Sequence, residues 1–338
     1  VEEKADKKDV EILAVGDMVT DCFIRLLDES SHTYYNEEGA WLSLPFGTKM
    51  PFDHVEVVAA VGNAANAAVS FARLGFKSAL MANIGDDRHG REMLRTLHDN
   101  KVDTDFVRIQ HDKISNYHYV LWYKEDRTIL IKHEQYKYYW PHLRRDEIPD
   151  WLYFSSISEH ALPFHDDLAD WLDDHPETKL AFQPGTFQMK AGTERLKRIY
   201  KHSEVLLLNR EEAAGVSNGN HARLDDLFDK LHALGPKIVV ITDGPHGAYA
   251  SGPEGRFKMP NYPDPKPPFE RTGAGDAFSS TFVAALAKGS NIEGALQWAP
   301  INAMSVVQKV GAQAGLLEQE QIARLLEKAP DWYKPEKL

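Results

Sequence analysis

The chain has 338 residues, 43% hydrophobic and 27% charged, which is enough apolar surface for a large folded core and too much for a disordered polymer. Its 51 Asp and Glu outnumber 39 Lys and Arg, and the formal charge of -12 has the wrong sign for coating nucleic acid or an anionic membrane. One cysteine, Cys22, excludes an intrachain disulfide and a cysteine-rich zinc site, and fits a reducing, cytoplasmic compartment.

Val1 to Asp9 is charged, lacks the apolar core of a signal peptide and predicts a frayed tail. Val10–Val15 reads as a buried strand closed by Gly16-Asp17. Phe23 to Val58 has no strong helical period and predicts loops and short strands, carrying the aromatics Tyr34, Tyr35, Trp41 and Phe46. The longest uncharged run, Val57 to Ala72, is shorter than the roughly 20 apolar residues a membrane span needs. Within it, Asn63 to Leu74 has helical spacing, with Gly75 as a C-terminal stop. Ser78–Ala82 then predicts a strand and Gly90–Asn100 a helix, the rhythm of a parallel sheet covered by helices.

Asn116 to Lys132 breaks that rhythm as a hairpin around Lys124-Glu-Asp-Arg127. Strands are predicted at 151–157, 179–182, 205–208 and 237–242, and helices at 276–288, 292–310 and 319–328. Asn261 to Pro268 is a proline-rich surface loop.

Four short segments carry chemistry. Glu270-Arg-Thr-Gly-Ala-Gly-Asp276 runs into a helix, so small residues and a helix N-terminus offer backbone N–H groups to an anion. Asp276 stands where a carboxylate can take a proton from a hydroxyl attacking phosphorus, and equally where an ordinary first-turn acid would stand. Val61-Gly-Asn-Ala-Ala-Asn66 places two amides three residues apart at a helix start, suited to a polyhydroxylated ligand or to simple capping. Asn209-Arg-Glu-Glu212 follows a strand, where ligands gather in such sheets, and also fits a capping box. Thr242-Asp-Gly-Pro-His-Gly247 is a glycine turn after the next strand. Gly215-Val-Ser-Asn-Gly219 has nucleophile-elbow spacing but follows a helical stretch, and a P-loop lysine motif is absent.

The order and spacing of these segments, with Gly16-Asp-Met-Val-Thr-Asp21, Ala72-Arg-Leu-Gly75 and Ile84-Gly-Asp-Asp87, resemble the ribokinase or PfkB family of carbohydrate and nucleoside kinases from about residue 10 to 328. The resemblance implies a three-layer α/β/α fold with a mostly parallel sheet and a small β-sheet lid. The main body would be 10–22, 61–114 and 136–330, and the lid 23–60 and 115–135. It implies ATP-dependent phosphorylation of a primary hydroxyl on a sugar, or on a nucleoside, and less readily a non-catalytic sugar-binding protein. Asp276 would be the base, and Gly273, Ala274 and Gly275 the anion hole. Asp21, Gly62, Asn63, Asn66 and Glu159 would face the acceptor. Asn209, Thr242, Gly244, Gly247 and Asn302 would lie along the nucleotide, with Asn209 and Glu212 organising magnesium through water. Glu270 and Thr272, with backbone near Gly311, would border a potassium site. It implies a small-molecule substrate, while the aromatic lid predicts a homodimer formed through it and the charge balance predicts no nucleic-acid or membrane partner. The chain departs from the family at Val61, where glycine is usual, at Glu270-Arg271, where Asp and Thr are common, and at Gln183, where several members carry an acid.

Overall fold

A computed structural model of the chain describes residues 9–37, 39–124, 126–221 and 223–338. Most of the predicted tail, residues 1–8, and Glu125 of the predicted turn lie outside the described residues.

Ten strands form the main sheet. Across it lie 336–337, 255–259, 248–252, 238–242, 203–209, 179–182, 151–154, 12–15, 78–85 and 107–110. The seven from Ile238–Thr242 to Val107–Gln110 pair in parallel, and the hairpin Ala248–Gly252/Gly255–Met259 continues the edge antiparallel. The central strands are short apolar runs because both faces are covered. Ile12, Ala14, Val205 and Leu207 face one core, while Leu13, Val15, Leu206 and Leu208 face the other.

Helices Asn63–Arg73, Arg88–Asp99, Ala274–Ala287, Ile292–Val306 and Gln319–Glu327 cover the first face. Leu162–Asp174, Lys197–His202, Arg210–Ser217 and Leu224–His232 cover the second. The alanine-rich composition of two of them has a packing cause. Ala64, Ala65, Ala67 and Ala68 are fully buried with Ala277, Ala284 and Ala285, so helix Asn63–Arg73 lies close against helix Ala274–Ala287. That approach brings the Asn63 and Asp276 segments together.

A four-stranded sheet stands apart, in the order 52–61, 19–26, 117–123, 126–130, with a separate hairpin His32–Asn36/Gly39–Ser43 beside it in sequence. The region 23–58 is loops and strands, as expected, with longer strands at its two ends. Val19–Leu26 is eight residues long and Phe52–Val61 ten. Phe52–Val61 is exposed over most of its length, so no buried-face alternation marks it in the sequence. Asp21 and Cys22, assigned above to the main body, ride on the small sheet through strand Val19–Leu26. The strand expected over 151–157 ends at Phe154, and the helix expected over 292–310 at Val306.

Candidate active site

In a parallel sheet the C-terminal strand ends share one edge, and the loops leaving them meet there. Asp17 follows strand Ile12–Val15, Gln183 follows Lys179–Phe182, and Asn209 and Thr242 end the next two strands. Between this edge and the small sheet lies a cavity of about 590 Å³ whose lining includes Asp17, Asp21, Gly62, Asn63, Asn66, His118, His133, Glu159, Phe187, Thr272 and Asp276.

Asp276 sits in the first turn of helix Ala274–Ala287 and is 8% exposed, at the cavity wall. Asn63 Nδ2 donates to its Oδ1 at 2.7 Å, Asn66 Nδ2 to its Oδ2 at 2.7 Å, and Gln183 Nε2 to Oδ1 at 3.3 Å. Burial raises the carboxyl above its ordinary value of 3.8, and the three amide donors pull the other way. Asn66 is itself oriented, because Gln313 Nε2 donates to its Oδ1 at 3.1 Å and to Ala60 O at 2.6 Å.

The helix entry explains the glycines. Gly273 has φ of 81°, and a Cβ there would collide with Ala312. No side chain caps this helix; Ala274 N donates to Arg271 O at 3.4 Å, and the helix dipole adds partial positive charge beside Asp276. Gly62, with φ of 109°, admits the carbonyl of Asp17, which a Cβ would approach to 2.8 Å.

Also in the lining, Asp17 accepts from Tyr138 OH at 2.8 Å and from Ser158 N at 2.7 Å. Burial outweighs both bonds and raises its pKa to about 6. Asp21 lies 3.4 Å from His118 Nδ1, its neighbour in the small sheet, and Asp17 lies 3.8 Å from His133 Nδ1. An array of carboxylates and amides on a cavity wall binds hydroxyl groups, since together they both donate and accept.

Residues 38–319 match the pfkB family of carbohydrate kinases. The chain belongs to that family. Ribokinase from Bacillus subtilis (strain 168) is 28% identical over 277 residues, spanning 78% of this chain and 87% of that protein. The nucleoside kinase structure of Methanocaldococcus jannaschii aligns over 95% of this chain and 99% of its own at a TM-score of 0.73 and 18% identity. Arabidopsis thaliana ribokinase complexed with ribose and ATP aligns over 94% and 99% at a TM-score of 0.74 and 18% identity. The PfkB fold and kinase class expected from the sequence are therefore those of the chain.

Several of the residues expected to bind the nucleotide lie beyond the cavity in this kinase. Asn209 Oδ1 accepts from Glu212 N at 2.8 Å, and Glu212 Oε2 accepts from Asn209 N at 2.8 Å, the reciprocal capping box of helix Arg210–Ser217. Burial, with the nearby charge of Asp276, raises the Glu212 carboxyl. Thr242, Gly244 and Gly247 flank Asp243 and His246, which line a separate groove of about 520 Å³ with Arg210, Tyr249 and Asn261.

Asn302, expected along the nucleotide, is fully buried, donating to Thr281 Oγ1 at 2.8 Å and accepting from Leu317 N at 2.9 Å, so its side chain joins two helices and a loop. Glu270 accepts from Thr272 N at 2.7 Å and from the Thr272 hydroxyl. Its countercharge is Arg127 of the small sheet, with Nη1 at 3.5 Å, so the pair expected to border potassium already carries a protein cation.

Sequence reasoning gave no role to Gln183, Gln313, His118, His133 or Phe187. Gln183 carried a usable signal, an amide directly after a strand at the ligand edge. The others come from elements whose approach only the fold reveals.

Proposed function

We propose that this kinase transfers the γ-phosphoryl group of ATP to a primary hydroxyl of a sugar or sugar-containing acceptor, with Asp276 as general base. The observation that carries this is the joint position of Asp276, at the cavity wall among amide side chains and in the first turn of an uncapped helix. As the acceptor oxygen bonds to the γ-phosphorus, its proton passes to Asp276 and the bond to the bridging oxygen of ADP breaks. A carboxylate raised by burial is a better proton acceptor near neutral pH than an exposed one. The Gly273–Asp276 amides and the helix dipole stabilise the charge on the transferring group. Asp21, Gly62, Asn63, Asn66 and Glu159, all on the cavity wall, hold the acceptor. Asn209, Thr242, Gly244 and Gly247 border the nucleotide.

Among the described residues no group of three His, Cys, Asp or Glu forms a metal cage. Asn209 and Glu212, engaged with each other, suit contact with magnesium through water, and magnesium bound to ATP neutralises phosphate charge. Potassium is assigned no role, since Glu270 is countered by Arg127. No described helix is long and apolar enough to cross a membrane. The buried thiol of Cys22 and the net charge of -12 support a cytoplasmic enzyme without a nucleic-acid partner.

The test is Asp276→Asn. Its amide cannot take the proton, so kcat for ADP formation should fall by about 10²–10⁴-fold while the thermal melt stays near that of the wild type. Turnover near the wild-type rate would remove Asp276 from the base role.

A further inference from the structure

The small sheet touches the loop that leads to Asp276 at two adjacent points. Trp122 and Arg127 are cross-strand partners in its hairpin. Phe269 and Glu270 are neighbours in the loop before helix Ala274–Ala287. The rings of Trp122 and Phe269 stand 5.5 Å apart at 81°, and Arg127 Nη1 lies 3.5 Å from Glu270 Oε1. One cross-strand pair therefore meets one pair of loop neighbours, which fixes orientation as well as distance. The loop is held from another side too, since Phe269 N and Glu270 N donate to Val307 O at 2.8 and 3.3 Å.

Glu270 joins these contacts to the helix entry. It is buried, and its Oε1 accepts from Thr272 N at 2.7 Å and from the Thr272 hydroxyl. Those two bonds set the backbone just before Gly273, whose φ of 81° opens the helix that carries Asp276. A buried carboxylate is costly without a countercharge, and Arg127 brings one from the small sheet. The pair has bonding capacity to spare. Arg127 Nε and Glu270 Oε2 are buried without a hydrogen-bond partner among the described residues, and 3.5 Å exceeds the roughly 2.7–2.9 Å of a charge-assisted hydrogen bond. The same strand also supplies Ile129 to the cavity lining, so one strand of the small sheet reaches both the cavity and the loop.

We propose that Arg127 is a positioning residue for phosphoryl transfer: from the small sheet it holds Glu270, and through the Glu270–Thr272 bonds it fixes the loop whose amides meet the transferring group. This rests on the phosphoryl-transfer function proposed above and adds a residue that touches neither substrate. An exposed ion pair would contribute little, but this one has a buried carboxylate whose other bonds go to the loop itself. Loss of the guanidinium leaves that carboxylate uncompensated, so Glu270 turns toward water and releases Thr272. Misplacement of the first-turn amides then lowers the chemical step more than it lowers substrate binding.

The experiment uses the full chain and two readouts. ADP formation from Mg-ATP is followed with the best acceptor of a panel of ribose, fructose, gluconate and adenosine. Amide hydrogen exchange is followed in the segment 268–276, a measurement that needs no turnover. In Arg127→Gln, kcat should fall about tenfold or more while the acceptor KM changes much less, and exchange in 268–276 should quicken about tenfold. Arg127→Lys keeps the charge but not the planar fork, and should recover part of kcat. In Arg127→Ala, millimolar guanidinium chloride should restore kcat several-fold, and the same concentration of sodium chloride should not. The double variant Arg127→Gln, Glu270→Gln should be no slower than the slower single one, because one residue acts through the other.

An unchanged kcat in Arg127→Gln, unchanged exchange in 268–276, or equal restoration by sodium and guanidinium would each overturn the proposal. Losses that simply add in the double variant would also overturn it. Faster exchange in Arg127→Gln, with no ADP formed by the wild type from any acceptor, would keep the contact between Arg127 and the loop and remove the phosphoryl-transfer function. Wild-type turnover to which Arg127→Gln is indifferent would keep that function and remove Arg127 from it.

Discussion

Three side-chain amides converge on Asp276, and the one furthest from it, Gln183, lowers its carboxyl least against the raising effect of burial. Gln183 is held on its other side by the hydroxyl of Tyr153, which is fully buried and, with its phenol raised by that burial, stays a donor. Its Nε2 is 3.3 Å from Asp276 Oδ1 and is one of the bonds that lower the carboxyl against the larger effect of burial. The active form of the base is deprotonated, so kcat/KM should fall on an acid limb lying above the ordinary 3.8. Gln183→Glu replaces a donor with a second acid at the same place. Two adjacent carboxylates cannot both ionise freely, so the limb should move up by about one pH unit or more. Gln183→Leu removes only the donor and should move it less, in the same direction. A pH–rate profile checks both, and an unmoved limb in Gln183→Glu would show that another group governs it.

At the scale of the element, the anion loop proposed above is a backbone device. Helix Ala274–Ala287 can start where it does because Gly273 holds φ at 81° with Ala312 packed where a side chain would be. Gly273→Ala adds the left-handed strain of about 1–2 kcal/mol and a collision with Ala312, so the loop must shift. The melting temperature should drop, and kcat for ADP formation should fall about tenfold or more. A kcat equal to the wild type would mean that the first-turn amides do not meet the transferring phosphoryl group.

This loop was legible in the sequence because small residues before an apolar helix have few other uses. The parallel strands were legible for a similar reason, since strands buried on both faces read as apolar runs. The small sheet was legible as a hairpin over 116–132 set beside the 23–58 region, but the length and register of its strands were not. Its strand Phe52–Val61 is mostly exposed, and His118 reaches the cavity only through pairing of Tyr117–Tyr123 beside Val19–Leu26. Asn302 shows the opposite difficulty. Its type and position suit a ligand, but its amide bridges Thr281 and Leu317 inside the core. A polar residue satisfied by long-range partners has the same sequence signature as one left free for substrate.

For the molecule as a whole, the small sheet is a layer with one face on the cavity and little over the rest. Ile129 and Ile131 line the cavity, while their strand neighbour Leu130 is 51% exposed and its cross-strand partner Tyr119 48%. The nearby hairpin leaves Tyr35 79% exposed, and Phe46, in the loop after it, is exposed in full. Exposed apolar groups are costly in water, and a contiguous set of them marks an interaction surface. A second copy of the chain offers the same sheet, and a two-fold pairing of the lids would cover both at once. We propose that the kinase is such a dimer. Sedimentation velocity at micromolar concentration should give a dimer for the wild type and a monomer for the double variant Tyr35→Lys, Tyr119→Lys, whose ammonium groups could not be buried without partners. These residues lie away from Asp276, so a wild-type monomer across the concentration range would leave the catalytic assignment intact and require another partner for the exposed face.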